Sequence, residues 1–320
     1  MMAKSGLLPC RMSAAMSLAP PVHSERLPLA GVALGVLAAV GFSFKAILVK
    51  LAYRHGVDAE TLLALRMLFS LPFFLFMGWQ GSRRAMAPLG WRDWRALFLL
   101  GLSGYYLASY LDFLGLGYIT AGLERLILFA YPSIVVILSA LFLGKPLTRR
   151  AVVALVMCYL GVAFAVAHDL QLSGDTAEVV TGSALVFGSA VAYALYLMGN
   201  GQVVGRLGSA RVTAWASTVA CALSIGQFLL LRPLGALDQP WQVYGLTLAM
   251  AAFSTVLPIW CVSEAIRRIG AGPVALTGSL GPVVTLGLGA VLLDEAVGLA
   301  QLAGGAMVIG GVLVMARGKR

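Results

Sequence analysis

The stretch "AGLERLILFAYPSIVVILSALFLGKPL", residues 121–147, carries Glu124 and Arg125 near its start and then no charge until Lys145. The uncharged run from Leu126 to Gly144 approaches the roughly 20 apolar residues a helix needs to cross a hydrocarbon core. A second stretch, "AGPVALTGSLGPVVTLGLGAVLLDEAV" at 271–297, lies over the first at an offset of 150 residues. Ala121-Gly122 then meets Ala271-Gly272, Pro132 meets Pro282, Lys145 meets Glu295 and, further on, Gly161 meets Gly311. Gly31 and Phe42 match Gly182 and Tyr193 at an offset of 151. The chain is therefore a repeated unit, and the unit is built for lipid.

Composition agrees. Of 320 residues, 60% are hydrophobic and 11% charged, with a mean hydropathy of +0.91, whereas a soluble domain is about half apolar and a quarter charged. Apolar windows between turn and charge clusters predict ten spans, at 28–52, 60–79, 94–117, 122–143, 150–168, 181–199, 212–232, 241–265, 271–293 and 296–316. None has the alternation of a barrel strand, so all are expected to be helices, which satisfy their own backbone groups in lipid. The expected fold class is an all-α integral membrane protein, with ten transmembrane helices as two inverted five-helix repeats. The first repeat runs over 28–168 and the second over 181–316. An odd number of crossings per repeat turns the second upside down. Residues 1–27 read as a disordered cytoplasmic tail, because Arg11 and Pro9, Pro20 and Pro21 interrupt any signal-peptide core.

The net charge of +10 is explained by orientation, with no need for nucleic acid. With the N-terminus in the cytoplasm, the inner segments hold Lys4, Arg11 and Arg26, then Arg83, Arg84, Arg92 and Arg95, then Lys145, Arg149 and Arg150. Further inner positions are Arg206, Arg211, Arg267, Arg268, Arg317, Lys319 and Arg320. Outer loops keep Arg54 and Arg232, and the expected 169–180 loop has Asp169, Asp175 and Glu178 without a basic residue. Short loops rich in Lys and Arg stay inside, so both termini are expected in the cytoplasm of a multi-pass inner-membrane protein. Cys158, Cys221 and Cys261 fall in apolar segments without metal or disulfide spacing, and no cofactor or metal is expected.

The stretches "TAGLERLILFAYPSIVVILSALFLGKPLT", "GAGPVALTGSLGPVVTLGLGAVLLDEAV" and "LALRMLF" (63–69) resemble the EamA-type transporters of the drug/metabolite transporter superfamily. The resemblance spans roughly 28–316. It implies a central cavity lined mainly by helices 1, 3, 4, 6, 8 and 9, and outward movement of amino acids or similar metabolites by alternating access. It also implies that the last helix of each half can serve a homodimer contact. One departure stands out: the hinge glutamate of the family is present as Glu295 but replaced by Lys145 in the first half.

Ionisable groups inside spans cost a few kcal/mol each, which makes them functional candidates. Lys45, Lys50, Arg66, Asp112, Glu124 and Arg125 share one level in the outer part of the first half. Either the acids pair with the bases and hold the helices in register, or a positive excess remains for a substrate carboxylate or phosphate. Lys45 is the favoured single residue on position alone. Tyr105, Ser109 and Asp112 share one face of helix 3 by i, i+4, i+7 spacing. Tyr193 and Tyr196 in helix 6, with Trp260 in helix 8, are expected to complete an aromatic wall. Pro132, Pro258 and Pro282 are expected to kink helices 4, 8 and 9. The reading is a secondary transporter of a small-molecule substrate in the lipid bilayer. Its rivals are a membrane-embedded enzyme, for which no HExxH or GxSxG constellation exists, and a non-transporting scaffold.

Overall fold

A computed structural model of the chain describes residues 29–83, 88–144, 146–173, 175–269, 274 and 277–317. The tail 1–27, Lys145 and Ala275 lie outside these. Every regular element among the described residues is helical: α1 (Leu29–Tyr53), α2 (Ala59–Arg83), α3 (Trp91–Leu116), α4 (Ala121–Phe142) and α5 (Arg149–Ser173). They are followed by α6 (Thr176–Leu207), α7 (Ser209–Leu231), α8 (Trp241–Ile269), α9 (Leu280–Leu292) and α10 (Leu299–Arg317). The first eight are long and apolar enough to cross a membrane, and α9 and α10 add two shorter apolar helices.

Helix ends depart from the apolar windows where polar residues cap them. The loop expected over 169–180 is nearly absent, because α5 runs on to Ser173 and α6 starts at Thr176. Asp175 is the N-cap of α6, accepting from the Ala177 and Glu178 amides at 2.8 and 3.2 Å. An N-cap carboxylate satisfies donors that would otherwise have no intrahelical partner, so the helix extends past its apolar window. Asp169, placed in that loop by the sequence, is a residue of α5.

α4 is not one continuous helix. It ends a first segment at Leu128, turns through Phe129 and Ala130, and resumes at Tyr131. Pro132 has no amide proton and its ring excludes the Leu128 carbonyl from a helical bond, so the break falls in the turn before it. A shift of 150 residues carries this break onto Ser279, the N-cap of α9 before Pro282. Wide π-turns follow the same shift: Gly101–Leu107 interrupts α3 and Ala252–Val256 interrupts α8, just ahead of Pro258.

Packing repeats as well. α5 lies along α10 and α2 along α7, while α1 packs on α8 and α9 as α6 packs on α3 and α4. Exchanging the halves, so that each helix of the first takes the number five higher and each of the second the number five lower, turns each of these pairs into itself or another of them. The α5–α10 contact is backbone on backbone. A Cβ on Gly304 would overlap the Gly161 carbonyl oxygen, and one on Gly311 would come 2.7 Å from the Ala154 oxygen. The small-residue stripe of α10 is thus covered by α5 of the same chain.

Gly304→Ala should therefore force α10 off α5 and cost about 1–3 kcal/mol of stability, the usual range for overpacking. Gly287→Ala, where nothing lies within 4 Å of an added Cβ, should cost nothing and gain about 0.5–1 kcal/mol from the preference for alanine over glycine in a helix. Thermal unfolding of the purified variants in detergent compares them, and equal melting of the two would contradict the close contact.

Candidate functional site

Three helices of the first half meet at Lys45. Its Nζ on α1 lies 2.6 Å from Asp112 Oδ2 on α3 and 3.2 Å from Glu124 Oε1 on α4. The carboxylates are sealed in, Asp112 at 2% and Glu124 at 0% exposure, while the lysine side chain keeps 16%. Each helix has a local reason to place its group there. Ser43, two residues before, anchors α1 by sharing its hydroxyl proton between the Ala39 oxygen at 2.8 Å and the Gly281 oxygen of α9 at 3.1 Å. Thr120 caps α4 by accepting from the Leu123 amide at 3.1 Å, which puts Glu124 in the first turn, where a carboxylate complements the helix dipole. Tyr53 ties α1 to α3 by donating to the Phe113 oxygen at 2.6 Å.

Of the pairings open to the acids, the structure realises those with Lys45. Arg66 takes a different partner: Nε and Nη2 donate to Thr255 Oγ1 of α8 at 3.2 and 3.1 Å, and its guanidinium sits 5.4 Å from the centre of the Phe113 ring. It is buried with Nη1 unpartnered, and it bridges the two halves. Arg125 makes no ion pair or hydrogen bond among the described residues, and its Nε is buried without a partner. Its guanidinium lies over Gly281 of α9, where a Cβ would come within 2.8 Å of Nη2. Lys50, which the sequence set at the same level, lies further along α1 toward Glu295 and Asp169.

Below the charged layer is an aromatic one. Tyr105 and Tyr196 share a hydroxyl–hydroxyl hydrogen bond of 2.9 Å with rings edge to face. Tyr193 stacks against Tyr196 with centroids 5.7 Å apart and meets Tyr131 edge to face at 5.0 Å. Arg125 is within electrostatic reach of both Tyr131 and Tyr193. Tyr131, which closes this wall, was not among the residues singled out from the sequence. Trp260, expected there, is 55% exposed and takes no part in the ring contacts. Pro258 and Cys261 occupy the inward side of α8 at that level, Pro258 against Gly41 of α1, which turns position 260 away. The shared face of Tyr105, Ser109 and Asp112 is divided among neighbours: Tyr105 meets α6, Asp112 meets α1, and half-buried Ser109 lies between. Seven residues of helix span about 10 Å, enough to pass from one neighbour to the next.

Above the charged layer the loops interlock. The Glu295 carboxylate accepts from the Ala121 and Gly122 amides at 2.8 and 3.3 Å, capping α4 from the α9–α10 connection. Arg54 donates to the Leu293 oxygen at 2.9 Å, and Thr120 Oγ1 to Asp169 at 2.7 Å. Arg232, past the end of α7, pairs with Asp58 at 3.4 Å and Glu60 at 3.1 Å. The Glu60 hydrogen bond and the Asp58 charge raise the pKa of Arg232. No group of three or more His, Cys, Asp or Glu side chains among the described residues is arranged to hold a metal.

A polytopic α-helical protein made of two related halves, with a buried ion-pair cluster in the first, defines a class found among membrane transporters. The chain belongs to the EamA-like transporter family, whose model matches it twice, over residues 29–167 and 180–317. It is 29% identical over 289 residues to YcbK of Bacillus subtilis (strain 168), described as an uncharacterized transporter, covering 86% of this chain and 89% of that one. An uncharacterized transporter of Archaeoglobus fulgidus is 28% identical over 231 residues, covering 71% and 79%. A protein of known crystal structure shares the fold at a TM-score of 0.60 with 18% identity, covering 89% of this chain and 96% of its own.

Removing one partner of a buried ion pair costs about 3–5 kcal/mol because the charge left behind has no compensation. Lys45→Met should accordingly melt far below the wild type in detergent, and adding Asp112→Asn with Glu124→Gln should recover most of the loss. A triple variant no more stable than Lys45→Met would show that the lysine acts through packing.

Proposed function

We propose that the chain is a secondary transporter of small metabolites carrying a carboxylate, amino acids foremost, working by alternating access through a cavity between its halves. The observation that carries this reading is Arg125. It is a cation held near the break of α4, against the backbone of α9 and beside Tyr131 and Tyr193, with no ion pair or hydrogen bond among the described residues, the nearby Glu124 carboxylate being bound to Lys45. A guanidinium offers parallel donors that fit a planar carboxylate, and ring faces suit the remainder of an amphipathic solute. Lys45, Asp112 and Glu124 fix the helices that present it, Arg66 spans the halves through Thr255, and Ser109 with Tyr105 and Tyr193 borders the space below.

Ten crossings as two inverted repeats, with both termini in the cytoplasm of an inner membrane, complete the proposal. Its support is the five-helix period in the packing, the matched breaks of α4 and α9, and the basic residues gathered in alternate loops. Export is the direction we assign, on the resemblance alone, and a homodimer is the assembly that resemblance suggests. Neither rival reading gains support from the site. An enzyme needs a nucleophile, a metal or a matched acid and base at an accessible point, and the two carboxylates here are closed off behind a lysine.

Counterflow into proteoliposomes with a panel of amino acids and organic acids tests the proposal and reads direction. Arg125→Ala should raise KM by roughly ten- to a hundredfold, the worth of a hydrogen bond to a charged group, with Arg125→Lys intermediate. A panel in which nothing moves under any gradient would remove the transport reading. Normal transport by Arg125→Ala would leave the class standing and refute the site.

A further inference from the structure

Two atoms of the charged layer are not accounted for by the pairing that holds it. Asp112 Oδ1 and Glu124 Oε2 are both buried and have no hydrogen-bond partner, although the other oxygen of each carboxyl group lies on Lys45. Both carboxyl groups close on the same ammonium, so they are neighbours in the enclosed layer. As ionised groups both are acceptors, so between them there is no donor. Lys45 is the cation in contact with them and offsets one of their two charges, while the Arg66 and Arg125 guanidinium groups act on Asp112 and Glu124 from further off. A buried oxygen without a partner costs about 1–3 kcal/mol, and more when charged.

The groups facing the pair are already engaged or too far to supply the missing donor. From α1, Lys45 bonds the opposite oxygens and the Tyr53 hydroxyl is spent on the Phe113 carbonyl. From α2, Arg66 is turned to Thr255 and the Phe113 ring. From α4, Arg125 follows Glu124 but lies over Gly281, toward Tyr131 and Tyr193. From α7, Cys221 lies near Arg66, and the contacts from α8 and α9 at this level, Thr255 and Gly281, carry no titratable group. Glu124 is fully enclosed, which leaves no surface for a metal ion or a substrate ammonium to reach Oε2. A proton needs no such room. Placed on either oxygen, it turns the unsatisfied contact into a carboxyl–carboxylate hydrogen bond and brings the net charge of the trio to zero.

We propose that Asp112 and Glu124 together form a proton-binding site, holding one proton between their unpartnered oxygens while Lys45 holds the opposite side. The proton comes from bulk water by way of Lys45, the one member of the trio with exposed surface. Lys45 rides on α1, which packs against α8 and α9, whereas α4 packs against α6 and α9 and α3 against α6 and α7. A movement that draws α1 away from α3 and α4 removes the ammonium, strengthens proton binding, and reverses on return. That last step rests on the transporter reading, whereas the occupied site itself does not.

Infrared pH titration of the purified protein in lipid tests occupancy without any substrate. The wild type should show the carbonyl band of a buried protonated carboxyl group at neutral pH, shifted in heavy water and persisting across a range from about pH 5 to 9. The band should disappear in Glu124→Gln and in Asp112→Asn, and remain in Glu295→Gln. Absence of the band from the wild type at every pH, or its survival in both site variants, overturns the site. Since the wild type alone can give the negative result, poor folding of a variant does not protect the proposal. Electrical recording of wild-type and Glu124→Gln proteoliposomes after a pH jump, with no solute added, should show a charge displacement in the first that is lost in the second. An occupied site with no such difference refutes proton exchange, and failure of solute transport with the band intact refutes the transporter reading alone.

Discussion

An ammonium 2.6 Å from Asp112 and 3.2 Å from Glu124 fixes three helices at one point, and the rest of the first half is arranged around it. In an apolar bundle such a contact is expensive to build, since each charge must leave water, and more expensive to break, since its partner then stands alone. Helix register in lipid gets little help from the hydrophobic effect, which does not distinguish a neighbouring helix from an acyl chain. Ion pairs across α1, α3 and α4 supply a directional term that apolar packing lacks. They also set the charge balance. The geometry commits both carboxylates to Lys45 and leaves Arg66 and Arg125 without an ion pair among the described residues.

The second half uses the same frame with different chemistry. At the offset of 151, Lys45 corresponds to Tyr196 and Arg66 to Ser217. At the offset of 150, Thr255 corresponds to Tyr105 and Gly281 to Tyr131. Arg66 on Thr255 thus has a counterpart in Tyr105, which faces Ser217. The same helix pairs meet in both cases, α2 with α8 and α7 with α3, but one contact is a buried cation on a hydroxyl and the other is neutral. Glu124 and Arg125 oppose Val274 and Ala275. A common backbone therefore carries a charged layer at one depth and a tyrosine layer at another, and the two press on each other where Arg125 and Tyr131 share the break of α4.

The all-helical, membrane-spanning character of the chain was legible because length and hydropathy are one-dimensional quantities that the bilayer itself imposes. Depth was legible for the same reason: Lys45, Asp112 and Glu124 were placed at one level from residue counts, and they meet there. Azimuth was not. Hydropathy cannot say which side of α8 faces inward, so Trp260 was drawn into a wall that Tyr131 completes. Nor could the sequence choose among the partners of an acid, because Arg66 and Lys45 differ there only by rotation about their helices. The repeat carries part of that missing information. Thr255 and Gly281, both beside arginines, are the mates of Tyr105 and of the tyrosine next to Pro132. The expected 169–180 loop failed for a separate reason: capping by Asp175 ends the connection sooner than apolarity does.

The hinge acid completes the comparison of halves. Glu295 lacks a twin in the first half, since Lys145 stands 150 residues earlier. Its carboxylate binds the first amides of α4, where a negative charge also meets the positive end of the helix dipole. A lysine has only donors to offer, so it cannot take over that contact, and its charge has the wrong sign for a helix N-terminus. Whatever position Lys145 holds, the tie between the α9–α10 connection and α4 is a bond for which the matching sequence position provides no equivalent. Two halves that share a backbone plan are thereby made unequal at their connections as well as at their charged layer.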